Sequence, residues 1–134
     1  MADFNIEDHT EEVLDGIEQA KARALEKIGL VAEGYAKRLC TVDTGRLRNS
    51  ITHATATYPG AGTYQDNKGN TFNDATANGT PEKDTVYIGT NVDYAVYVEM
   101  GTVNTPAQPY LKPAAADHME KYRSILKSEL QGGE

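Results

Sequence analysis

Tryptophan is absent from the chain and cysteine occurs once, at Cys40. A single thiol excludes an internal disulfide and any metal site built on several cysteines. Histidine is scarce too. His9, His53 and His118 are the full set, and no HxH or HExxH spacing joins them into a zinc motif. No stretch approaches the roughly 18 consecutive apolar residues of a membrane span. The acidic start MADFNIEDHTEE has no basic segment ahead of an apolar one, as a secretory signal would. Nucleotide-binding glycine patterns are missing as well: GAG at 60–62 and the glycines of GTNVDYAVYVEMGT fit neither GxGxxG nor the phosphate-loop pattern ending in GKS or GKT. The expectation is a soluble, intracellular protein without cofactor or metal.

What is present suffices for a single domain, residues 1–134, large enough to bury roughly two-thirds of its unfolded surface. The net charge of −7 repels polyanions at long range, which argues against non-specific DNA binding as the main task. Val13, Ile17, Ala20, Ala24, Ile28, Val31, Tyr35 and Leu39 recur at spacings of three and four, predicting one long amphipathic helix. Asp8, with Glu11 three residues on, reads as its N-cap. Glu33 and Lys37 form an i,i+4 pair on the other face. Gly16, Gly29 and Gly34 weaken such a helix by about 1 kcal/mol each, so a close approach or a bend is expected there. A helix of this length overhangs a small domain, which hints at an assembly.

ITHATATY alternates like a strand, and TVYIG is a compact second one. Between them, residues 59–84 are polar and turn-rich. They read either as a hairpin turning at NKGN between GTYQ and TFND, or as a mobile insertion that orders against a partner. NVDYAVYVEMGT predicts a short helix over Tyr94–Met100, with Asp93 as N-cap and Gly101 after its end. Pro113 suits the first turn of a closing helix that presents Leu111, Ala115, His118 or Met119, Tyr122, Leu126 and Leu130 on one side. The fold class is α+β: a long N-terminal helix on a small, mostly antiparallel sheet, a short helix in the second half, and a closing C-terminal helix.

No catalytic constellation emerges. Cys40 has no local base, and reads as a small buried apolar residue. Asp93 and Glu99, six residues apart on a short helix, fall on opposite sides; the plain reading gives Asp93 a capping role and Glu99 bonds to nearby backbone N–H groups. The tyrosines could stack on bases but are not interleaved with arginine. VDTGRLRNSI, residues 42–51, holds the tight basic pair Arg46 and Arg48. Two uses are open for it. One is an anion site near a short helix capped by Asp43 or Thr44, which would make the chain a nucleic-acid-binding module. The other is a corner, with Leu47 and Ile51 in the core and the arginines facing solvent or a neighbour. Gly45 and Gly101 are expected to need positive φ or close approach.

Three ordered blocks carry a resemblance. Asp43, Thr44, Gly45, Leu47, Ser50 and Ile51 fill D-T-G-x-L-x-x-S-I; Tyr94, Ala95, Tyr97, Val98, Glu99, Gly101 and Thr102 fill Y-A-x-Y-V-E-x-G-T; Pro109, Tyr110, Leu111, Pro113 and Ala114 complete the third. Over about residues 10–130 the chain resembles the minor tail-component proteins of long-tailed double-stranded-DNA bacteriophages and prophages. Residues 59–84 align to none of the blocks. The resemblance implies a non-enzymatic virion assembly protein, a ring-forming head–tail connector, neck or tail-completion component. It implies partners in itself as a ring, in connector or adaptor proteins and in tail-tube or tail-terminator proteins, with DNA only as passing cargo and no membrane. Assembly would take place in the host cytoplasm and the final location would be the neck or tail of the virion. The motif residues expected at structural or interface positions are Asp43, Thr44, Gly45, Arg46, Leu47, Arg48, Tyr94, Tyr97, Glu99, Gly101, Pro109 and Tyr110.

Overall fold

The computed structural model describes residues 7–76 and 81–132, with side chains from residue 11 onward. Helix α1 covers Glu7–Leu39, 33 residues and roughly 50 Å. It already includes Asp8, which is therefore helical rather than the expected cap; its side chain lies outside those described. A five-residue helix α2, Arg46–Ser50, follows the D-T-G corner. Then come β1 (Thr52–Ala54), β2 (Gly62–Gln65), β3 (Thr71–Ala75) and β4 (Tyr87–Gly89). The chain closes with α3 (Ala95–Met100), α4 (Leu111–Ala116) and α5 (Met119–Gly132). The α+β arrangement read from the sequence is the observed one, with the sheet divided into two antiparallel pairs, β1 with β4 and β2 with β3.

The central pair is short because threonine ends it. Strand β1 does not continue through Thr57: the Thr55 hydroxyl accepts the N–H groups of Thr57 (3.3 Å) and Tyr58 (3.1 Å), which bends the chain away. Its residues show no alternation of burial because both faces are covered: His53 packs against Gly29 of α1, and Thr52 faces Gly60 and Ala61 on the other side. The hairpin read from NKGN is β2 and β3, closed by Asp66, whose N–H donates to the Asn70 carbonyl (3.0 Å) and whose carboxylate accepts from Lys68 and Asn70. Tyr64 and Phe72 stack across it at 5.5 Å.

The core gathers where the elements meet the C-terminal half of α1: Ala36 and Cys40 pack with Leu47, Ile51, Val92, Ala95, Tyr110 and Ala114. Tyr110 is completely buried, a burial worth about 2 kcal/mol. The buried stripe of α1 is mostly alanine, at Ala20, Ala24, Ala32 and Ala36, so neighbouring elements approach its backbone closely. Gly29 marks the tightest contact, because a Cβ there would lie 2.5 Å from the His53 ring. Gly16 has open space instead and needs no such explanation. Val13, Ile17 and Leu39, expected on the stripe, are exposed at its two ends.

Two further expectations are corrected. Asp93 caps nothing; Tyr94 occupies the N-cap position of α3, and the preceding turn is fixed by Thr90, whose hydroxyl accepts the Val92 N–H (3.2 Å). The single closing helix is two, broken at Asp117 and His118, with Pro113 inside the first turn of α4, where no N–H is required. The break lets His118 stack on Tyr35 at 3.6 Å and lets the Tyr122 hydroxyl donate to the Ala114 carbonyl.

Candidate assembly interface

The first two sequence blocks converge on one cleft of about 250 Å³, lined by residues 41–47 together with Tyr94 and Val98. Its floor is the corner after α1. Gly45 adopts φ +83°, in the left-handed region, and is buried against the tip of the β2–β3 hairpin; a Cβ would meet the Asn67 amide at 2.5 Å. Thr44 holds the corner twice: its hydroxyl accepts the Arg46 N–H (3.3 Å), and its carbonyl accepts the Asn67 N–H (2.8 Å). Asp43 and Val42 stand exposed at the lip, while Leu47 and Ile51 are buried beneath it.

Both arginines, half-buried, make bonds within the chain that the sequence reading did not name. Arg46 donates to Asp74 (3.0 Å) and to the Tyr64 hydroxyl (3.4 Å), and lies 4.2 Å over the Phe72 ring. Burial and the nearby Asp74 carboxylate push the Tyr64 hydroxyl up to about 12, so it stays neutral. Arg48 donates to Asn49 (3.1 Å) and Asn67 (3.2 Å). Both guanidinium groups thus help to fasten α2 to the hairpin. Helix α2, at five residues, is also too short to build an anion site at its N-terminus. Sequence reading missed the acceptors. Phe72 and Asp74, two apart on β3, share a face, which was the one available signal.

The remaining motif residues form a second corner. Glu99 reaches across from α3 and accepts the N–H groups of Tyr110 (2.9 Å), Leu111 (2.8 Å) and Lys112 (3.2 Å), capping α4 from a distance. The Tyr110 hydroxyl returns to the Ala95 carbonyl (3.2 Å), so this residue is a core strut. Gly101 turns the chain at φ +79°, and Pro109 is exposed on the loop that leads back. Tyr94 overhangs the cleft, 6.0 Å from Arg46, while Tyr97 points outward with Val96, Met100 and Val103. Val96 and Met100 lie on the opposite face of α3 from Tyr94 and Val98 and line a separate cavity with Asp93, Glu99 and Leu111, so the cleft itself is edged by the exposed Val42, Asp43 and Tyr94.

Nothing in this arrangement pairs a nucleophile with a base. Burial pushes the Cys40 thiol up to about 11, which makes it inert. Among the described residues no group of three His, Cys, Asp or Glu is placed to hold a metal ion, and no helix is long and apolar enough to cross a membrane.

A family model described as "Bacteriophage HK97-gp10, putative tail-component" matches residues 5–101. The match runs through the hairpin of residues 59–84 and ends at Gly101, so the third sequence block and α4–α5 lie beyond it. No curated protein and no solved structure matches the chain. With the D-T-G corner and the Tyr94 helix inside the matched region, the chain belongs to this tail-component family and is a structural phage protein of the virion, whose partners are other phage structural proteins.

Proposed function

We propose that the protein is a ring-forming head–tail connector, neck or tail-completion component without enzymatic activity, assembled in the host cytoplasm. The observation that carries this reading is the cleft of Thr41–Leu47, Tyr94 and Val98, edged by the exposed Val42, Asp43 and Tyr94. A cleft edged by exposed apolar and aromatic side chains is a surface suited to contact with a partner. Arg46 is tied to the chain's own hairpin, which leaves shape, apolar surface and the Asp43 carboxylate to meet a partner. We read Asp43, Tyr94, Tyr97 and Pro109 as the contact residues, and Gly45, Arg46, Leu47, Arg48, Glu99, Gly101 and Tyr110 as their scaffold. Neighbouring copies in the ring, connector or adaptor subunits, and tail-tube or tail-terminator subunits are the partners. DNA is cargo passing through the ring.

Electron microscopy of particles made without the protein tests the reading. Filled heads separated from tails are the expected outcome. Intact virions with heads joined to tails would end it.

A further inference from the structure

The buried stripe of α1 does not stop where the domain stops. Ala20 and Ala24 face the core, and one and two turns earlier the same stripe continues as Ile17 and Val13, with Leu14 beside them. These residues are 43%, 59% and 55% exposed in that order. Every residue from 11 to 17 is exposed. The described elements that cover α1 end short of this stretch: Lys83 and Asp84 are bonded to Glu18 and Lys21, and Glu129 near the end of α5 is bonded to Arg23 and Lys27, so α5 gives out about two turns before Val13. A short apolar helical end gains little from propensity alone and is stabilised by packing.

Helix α5 carries a second uncovered stripe. Tyr122 and Glu129 turn inward, whereas Met119, Leu126 and Leu130 are exposed. At i, i+7 and i+11 these three lie in one row, about 16 Å long. Arg123 and Lys127, at i+4 and i+8, border that row, and the Arg123–Glu120 bond at the surface is worth little. The α1 end is bordered by Glu11, three residues before Leu14, and carries Asp15. One surface is apolar with acids, the other apolar with bases. Within one chain the row ends beside Arg23 and Lys27, more than two turns short of Val13.

We propose that the N-terminal end of α1, through Val13, Leu14 and Ile17, seats on the Met119–Leu126–Leu130 row of α5 in a second copy of the chain. Two different surfaces meet, so the contact is head-to-tail and repeats from copy to copy, the geometry that closes a ring. The pairing deepens the ring reading by naming its two faces, and rests on that reading for the closed ring.

Light scattering across a concentration series tests it with two variants at exposed positions, Val13→Asp/Ile17→Asp and Leu126→Asp/Leu130→Asp. The wild-type mass is expected to rise above that of the 14.6 kDa chain by about 1 mM, as a head-to-tail contact of modest affinity requires. Each variant alone should stay at the mass of one chain, with wild-type helix content by circular dichroism. An equal mixture should form a dimer and nothing larger, because only one intact pair of faces remains. Variants that associate like wild type overturn the pairing and leave the ring reading standing. A wild-type chain that stays single up to about 1 mM also overturns it, and the ring reading is then judged separately by copy number in the particle.

Discussion

The molecule turns two sharp corners, one after α1 at Gly45 and one after α3 at Gly101, and fastens them in opposite ways. At the first, cations reach outward from α2 to carbonyl, carboxylate and ring groups of a hairpin far along the chain. At the second, one carboxylate reaches back to three backbone N–H groups of the next helix. The glycines differ as well. Gly45, with ψ −1°, sits in the ordinary left-handed well and faces a side-chain amide that can swing aside. Gly101, with ψ 172°, occupies a region open almost only to glycine and faces the backbone of Ala107 at 2.7 Å. One corner is adjustable, and the other is rigid.

Substitutions that attack this difference should rank accordingly. Gly101→Ala combines forbidden dihedrals with an immovable neighbour, and is expected to cost about 3 kcal/mol or more in urea unfolding. Arg46→Ala strips Asp74 of its partner while the other Asp74 oxygen is already buried without a bond; about 2 kcal/mol is expected, with faster amide exchange in the hairpin as the local readout. Glu99→Gln keeps one acceptor oxygen and loses the charge, for an expected loss of about 1 kcal/mol confined to unfolding of the α3–α4 corner. Gly45→Ala should cost about 1 kcal/mol, since alanine tolerates the left-handed well at modest strain and Asn67 can move. Equal losses at Gly45 and Gly101 would erase the distinction between the corners.

How far these corners were legible in the sequence depends on the range of the interactions. The long helix, the hairpin at NKGN, the glycine turns and the seating of Leu47 and Ile51 follow from periodicity and turn chemistry within a few residues. So did the plain role for Glu99, whose targets lie on the next element. The bonds of Arg46 were not legible because its acceptors are 18 and 28 positions away on the hairpin. Nothing local distinguishes an arginine that reaches solvent from one that reaches Asp74. Which part of α1 is buried and which exposed was equally hidden: the apolar period is the same in both, and the reach of the elements packed on the helix decides which is covered.

The smallest effect lies behind both corners, where His53 joins β1 to α1. The bond to Glu33 at 3.1 Å, opposed by burial and aided by Glu26 at 3.2 Å on the other ring nitrogen, holds the imidazole above its usual 6.5. Burial pushes the Glu33 carboxyl up, but the bonds from His53 and Lys37 together outweigh it and hold it below the usual 4.5. A raised histidine contributes stability that is complete below about 6.5 and lost as pH rises through its folded value; a lowered glutamate contributes stability that is complete above about 4.5 and lost as pH falls through its own. The α1–β1 junction should therefore be firmest between those limits and looser at pH 8. Arg46 keeps its charge throughout this range, so the first corner should hold while the junction loosens. His53→Gln, unable to carry charge, should flatten the urea-midpoint profile between pH 6 and 8 without changing the hairpin's exchange rates. An unchanged profile would mean that the imidazole is neutral between its two glutamates.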